Sequence, residues 1–156
     1  MKKYLSALSF LAILIFSGCG GSGNDSEYIK PELTVNADNV YVWADLMPGG
    51  DPKLYATGEF TVRNSGMVIT WLSSKAEGAI TQGTQYIMKF NPDLNLETDS
   101  LKLLPGESKM IKFTTPKGLD LKNLNREGQV DILFGVKAGA EIFNIQFKSV
   151  PVDKVY

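Results

Sequence analysis

The stretch "KLYATGEFTVR", Lys53 to Arg63, alternates without a break. Leu54, Ala56, Gly58, Phe60 and Val62 fall on one parity, and Lys53, Tyr55, Thr57, Glu59, Thr61 and Arg63 on the other. Successive side chains of an extended chain point to opposite faces, so this run is a strand with one face on a core and the other in water. No helical period gathers those five residues on one side. A strand this long needs neighbours to pair with and a second layer over its apolar face, which commits the chain to a fold built on sheets.

The remaining sequence supplies those neighbours. "LTVNA" (Leu33 to Ala37) alternates, "VYVWADL" (Val40 to Leu46) is largely apolar on both parities, and "PGGDP" ends it. After Arg63, "NSG" reads as the turn of a hairpin with Gly66 at positive φ, and "MVITWLS" as its return strand. "QYIMKF" is a further strand and "NPDLNLETDS" a long connection. "LPGES" is a turn that opens onto "KMIKFTT", where Ile111 and Phe113 face the core. "LDLKNLN" (Leu119 to Asn125) reads as one helical turn, and "QVDILFGV" and "EIFNIQFKSV" as a hairpin across "KAGA". Seven to nine strands with at most one helical turn predict an all-β domain, an antiparallel β-sandwich over residues 32–156.

The first 31 residues follow a different logic. Lys2 and Lys3 precede an apolar run from Leu5 to Phe16, and the small residues Ser17 and Gly18 stand before Cys19, the only cysteine. That order is a secretory signal peptide, too short to span a ~30 Å hydrocarbon core. "GGSGNDSEYIKP" (Gly20 to Pro31) has the composition of a flexible tether. Removing residues 1–18 takes away two lysines and no acid, leaving 14 basic against 17 acidic residues. A slightly acidic chain offers no electrostatic footprint for nucleic acid or for anionic lipid headgroups.

"FSGC" (Phe16 to Cys19) resembles the lipobox of bacterial lipoproteins, with Phe16 where that motif usually holds Leu. The resemblance implies that Cys19 becomes the mature N-terminus and is acylated, tying the protein to a membrane. Gly20 after the cysteine, under the sorting pattern of enterobacterial lipoproteins, implies the outer membrane. "FTVRNSG" and "LLPGESKMIKFTT" together resemble bacterial immunoglobulin-like domains of the cell-adhesion-related and Hydin types. That resemblance, over about Gly58 to Phe113, implies an immunoglobulin-like sandwich used as a binding or spacer module.

Catalytic chemistry is thinly supplied. The chain has no histidine, which excludes Ser-His-Asp and Cys-His catalysis and histidine-ligated metals. "GCGGSG" has dinucleotide-loop spacing, yet Gly18 leaves with the signal peptide. Asp93, Asn95, Glu97 and Asp99 are spaced two apart, as at the start of a calcium loop, but Thr98 and Leu104 stand where an EF-hand needs Gly and Glu. A solvated loop with Leu94 and Leu96 docked on the core is the favoured reading, and no cofactor is expected.

Tyr41, Trp43 and Tyr55 are the candidate ligand-binding residues, since exposed rings could stack on sugars. The pattern favours the core instead, with Val40 to Trp43 buried on both sides and Trp71 between the sheets. The functional expectation is a lipid-anchored, non-catalytic binding module of the bacterial envelope, with an envelope protein or a glycan as partner. A structural spacer or assembly subunit is the alternative, and a carbohydrate-binding module the third reading.

Overall fold

The alternation of Lys53 to Arg63 is realised along a strand in which Leu54, Ala56, Gly58, Phe60, Val62 and Asn64 are buried while their neighbours are not. A computed structural model describes residues 29–121 and 128–156. Cys19 and most of the tether lie outside them, as does the part of the expected helical turn beyond Leu121. The described residues are all-β. The strands are β1 (Leu33–Asp45), β2 (Lys53–Asn64), β3 (Thr70–Gln82), β4 (Gln85–Phe90), β5 (Asp93–Leu94), β6 (Ser100–Leu103), β7 (Ser108–Thr114), β8 (Leu119–Asp120), β9 (Gln129–Ala138) and β10 (Glu141–Val155).

Two layers enclose one core. β2 pairs with β1, β7 and β8, and β3 with β4, β6 and β9, while β9 forms the expected hairpin with β10. Rings from both layers meet between them: Phe113 lies 4.8 Å from Phe134 and 5.7 Å from Phe147, and Phe60 meets Phe134 edge-on at 5.6 Å. Edge-to-face and tilted contacts of this kind suit the ring quadrupole.

The layers are also joined at both sides, so the hydrogen-bonded path β1-β10-β9-β3-β5-β7-β2 returns to β1 and closes a seven-strand barrel. On one side β5 links Lys75 of β3 to Thr114 of β7 through Asp93. On the other, β10 leaves β9 and joins β1 in parallel, Val42 to Asp45 against Val152 to Val155. The change of partner follows a bulge between Phe147 and Val150, where Ser149 has φ 53° and its N–H donates to the Asp131 carboxylate at 2.7 Å. A bulge sharpens the local twist and lets one strand serve two layers. Beside the expected antiparallel pairings, one pairing is parallel and the sheet closes on itself.

Three expectations change. β1 is one strand rather than two, with a bulge between Ala37 and Asn39 absorbing the polar stretch between the two apolar runs. Leu119–Asp120 pairs with Leu54 and Lys53 as strand β8. β2 and β3 do not form a hairpin; the chain crosses from one layer to the other after Asn64, and Gly66 is not among the positive-φ residues.

Asn64 fixes that crossing. Its side chain is buried, donating from Nδ2 to the carbonyls of Val68 at 2.7 Å and Leu103 at 3.1 Å, and accepting the Gly66 N–H at 3.1 Å. Its backbone is bonded to the "LPGES" turn, with its N–H on the Glu107 carbonyl and its carbonyl receiving the Gly106 N–H. The turn itself is closed by Glu107, whose N–H donates to the Leu104 carbonyl and whose carboxylate accepts the Leu104 N–H at 2.7 Å. Gly106 sits at φ 78°, a conformation that side-chain-bearing residues rarely adopt.

Candidate functional site

Past its bulge, β1 turns Val42 and Ala44 into the core and Tyr41 and Trp43 outward. Antiparallel register sets Tyr55 of β2 directly opposite Trp43. The three rings stack in a row: Tyr41 and Trp43 at 5.4 Å and 23°, Trp43 and Tyr55 at 5.2 Å and 14°. The expectation that Val40 to Trp43 is buried on both sides therefore fails. Tyr41 is 49 % exposed, and Trp43 and Tyr55 are half-buried on the outer face of the β1-β2-β7 layer. Trp71 is corrected as well: it is 55 % exposed, under the Lys102 ammonium at 5.8 Å, and Thr70 and Leu72 face inward in its place.

Stacking decides which ring surface a ligand can reach. Near-parallel rings about 5 Å apart cover one another's faces, so Trp43 is enclosed on both sides. Tyr55 is backed by the turn at Gly118, where an added Cβ would lie 2.8 Å from its ring. Tyr41 alone keeps a face uncovered. That face borders a surface depression of about 360 Å³ lined by Asn39, Thr57, Glu59 and Lys112, and not by Trp43.

Polar groups ring the stack. Glu59 and Lys112 stand opposite each other in the β2–β7 register and form an ion pair at 3.3 Å, with the Lys112 side chain largely in solvent. Asp153 of β10 is in parallel register with Trp43, and its carboxylate beside the Tyr41 hydroxyl raises the phenol above its ordinary pKa. At the far end Lys53 pairs with Asp120 at 2.5 Å, which holds the ammonium above its usual value. The arrangement can place the apolar face of a small ring against Tyr41 and offer hydroxyl groups a carboxylate, an ammonium and an amide.

The calcium-loop candidates do not come together. Asp93 pairs in β5, Asn95 bonds through its N–H to the Lys112 carbonyl, and Glu97 and Asp99 are exposed. Leu94 is buried and Leu96 packs on the core. Among the described residues no three His, Cys, Asp or Glu side chains gather as a metal-holding group.

Neither a family model nor a curated protein matches this sequence. Three solved structures share part of the backbone path. The alkylpurine DNA glycosylase AlkC of Pseudomonas fluorescens is 13 % identical with a TM-score of 0.41, over 79 % of this chain and 31 % of that one. The structural genomics target SoR45 is 16 % identical with a TM-score of 0.40, over 76 % and 81 %. The sporulation control protein Spo0M of Bacillus subtilis is 15 % identical with a TM-score of 0.41, over 80 % and 50 %. The chain thus spans about a third of the glycosylase and half of Spo0M.

Proposed function

We propose that this is a lipid-anchored binding module of the bacterial envelope, without catalytic activity, that takes a sugar ring on Tyr41. The single observation that carries the binding reading is the uncovered face of Tyr41 beside Asn39, Glu59 and Lys112. Stacking supplies orientation, and the flanking polar groups supply hydroxyl recognition. The tight stacking of Trp43 and Tyr55 argues for one ring at a time rather than an extended flat platform. The finer fold we favour is a flattened immunoglobulin-like sandwich, its corners made where β10 changes layers. The resemblance to the cell-adhesion-related and Hydin types draws support from the direct bonds between Asn64 and the Gly106–Glu107 turn.

The binding test is a panel of purified envelope glycans, measured with the wild type and Tyr41→Ala. Loss of one stacked ring should weaken binding by about 3- to 10-fold. A wild type that binds no glycan would remove this reading. The anchor test is metabolic labelling with a fatty-acid analogue. Wild type should take up label and Cys19→Ala should not; equal labelling would refute acylation there. The lipobox resemblance supports an envelope location, and Gly20 favours the outer membrane.

A second reading, an assembly subunit or spacer, has one specific observation behind it. The outer face of the β4-β3-β9-β10 layer exposes Tyr86, Leu133 and Ile142, and a mostly apolar hollow of about 340 Å³ lies beside the first two. A partner protein covering that face would shield Leu133 without touching Tyr41.

A further inference from the structure

Among the described residues, the Met67–Ile69 loop carries the most exposed of the large apolar side chains. Met67 is 95 % exposed, and Ile69, Trp71, Leu104, Met110 and Ile29 are all open to solvent near it. These residues share one end of the molecule. Thr70 is in register with Leu103 and Trp71 with Lys102, Trp71 and Met110 line one depression, and Leu104 belongs to the turn bonded to Asn64. The sequence reason is parity. With Asn64 holding the Val68 carbonyl and Thr70 and Leu72 turned inward, Met67, Ile69 and Trp71 share the outward set.

The N-terminal chain enters at the same end, and it is pinned there. The Glu32 carbonyl accepts the N–H groups of Ser65 at 2.9 Å and Gly66 at 3.2 Å and the Ser65 hydroxyl at 3.1 Å. The point of entry therefore sits beside Met67. Fourteen residues run from Cys19 to Glu32, and a Gly/Ser-rich coil of that length has an r.m.s. span of roughly 20 Å. β1 alone, at ~3.3 Å per residue, is about twice as long.

We infer that, resting on the lipid-anchor reading above, the Met67–Ile69 loop with Trp71 and Leu104 docks into the bilayer interface that holds the Cys19 anchor. A tether of that r.m.s. span, entering beside an apolar tip, favours that tip at the lipid surface. Indole and thioether side chains partition into the interfacial zone, and Arg63, Lys102 and Lys109 around the tip can meet headgroup phosphates while their stems lie along apolar surface. The Tyr41 site then points away from the membrane: Trp43 lies ten residues along β1 from Leu33, roughly 30 Å farther out.

The chain's two tryptophans, Trp43 and Trp71, make this measurable. Purified mature acylated protein, beginning at Cys19, would be reconstituted into phosphatidylethanolamine–phosphatidylglycerol vesicles brominated high in the acyl chain, and its emission compared with that of Trp71→Phe. The wild type should lose a large part of the emission that Trp71 contributes, while Trp71→Phe, which reports Trp43, should be unquenched. Met67→Asp combined with Ile69→Asp should abolish the quenching and leave fatty-acid labelling intact. Labelled, vesicle-bound wild type with unquenched Trp71 would overturn the docking and leave the anchor standing. Quenching that survives the double substitution would overturn the loop's part in it. A Trp71 signal blind to bromine but dependent on protein concentration would assign the patch to a second copy and overturn the bilayer. Absence of label in the wild type would remove anchor and docking together.

Discussion

Asn64 is the residue on which the crossing between layers turns. It is fully buried, yet both hydrogens of its amide nitrogen and its amide oxygen are used, and among the described residues no buried side-chain nitrogen or oxygen lacks a partner. A buried carbonyl left without a donor costs about 1–3 kcal/mol. Asn64→Leu removes the amide donor from the Leu103 carbonyl and leaves the Val68 carbonyl only the longer Thr70 hydroxyl bond at 3.4 Å, so we expect a loss of ~2–4 kcal/mol in urea unfolding at unchanged slope. Asn64→Asp should do no better, because a carboxylate supplies neither donor and faces two carbonyl oxygens. A midpoint unmoved by either substitution would contradict the latch. At Gly118 a second residue-level constraint operates: φ is 64°, and a Cβ would collide with the Tyr55 ring, so the turn both needs glycine and supports the aromatic stack.

Among the elements, the Leu104–Glu107 turn couples local charge to the join between β6 and β7. The Leu104 N–H bond is the main cause, and the Lys109 ammonium a lesser one, of a Glu107 carboxyl held below the usual glutamate range. A carboxyl with a depressed folded pKa contributes stability above its unfolded value and loses it as pH falls through the folded one. Melting temperature should therefore drop between roughly pH 5 and pH 3 more steeply in the wild type than in Glu107→Gln, whose neutral amide does not titrate. Parallel curves would show that this turn does not sense pH. How far elements were legible in the sequence follows from their pattern. β2, β7 and β9 alternate throughout, as β10 does up to its bulge after Phe147, and their inward residues are the core. β3 carries apolar residues on both parities around Ile69 to Leu72, so its facing was ambiguous until the Asn64 bonds chose Thr70 over Trp71 for the interior. Turn chemistry at "NSG" marked a reversal without saying which layer the chain enters next. Tyr41 and Trp43 could be placed on one face by spacing alone. Their pairing with Tyr55 depends on the register past the Ala37–Asn39 bulge, and no local sequence signal marks that.

For the whole molecule the closing contact is the parallel β1–β10 pair, which brings the first strand against the last. Deleting residues 151–156 removes every partner of Val42 to Asp45 on that side and the Val155 carbonyl that accepts the Leu46 N–H at 2.8 Å. The core behind Val42 and Ala44 remains covered from β2, so we expect a folded chain with an open seam. Hydrogen exchange should speed up at the Leu46 amide while β9, which pairs with the retained part of β10 from Glu141 to Val150, keeps its protection. Equal protection at Leu46 in both forms would mean that the seam is not closed in solution.

That seam also decides how the protein answers a pull. Held by its N-terminal end and drawn on through its C-terminal end, β1 and β10 slide along each other, because parallel strands at opposite chain ends are dragged in opposite directions. Their hydrogen bonds lie across the direction of load and must give way together, whereas a terminal hairpin would unzip one bond at a time. Four residue pairs and the Leu46 bond thus form a shear clamp. A domain held at its N-terminal end and loaded through its C-terminal end would resist opening there before any of its core is exposed.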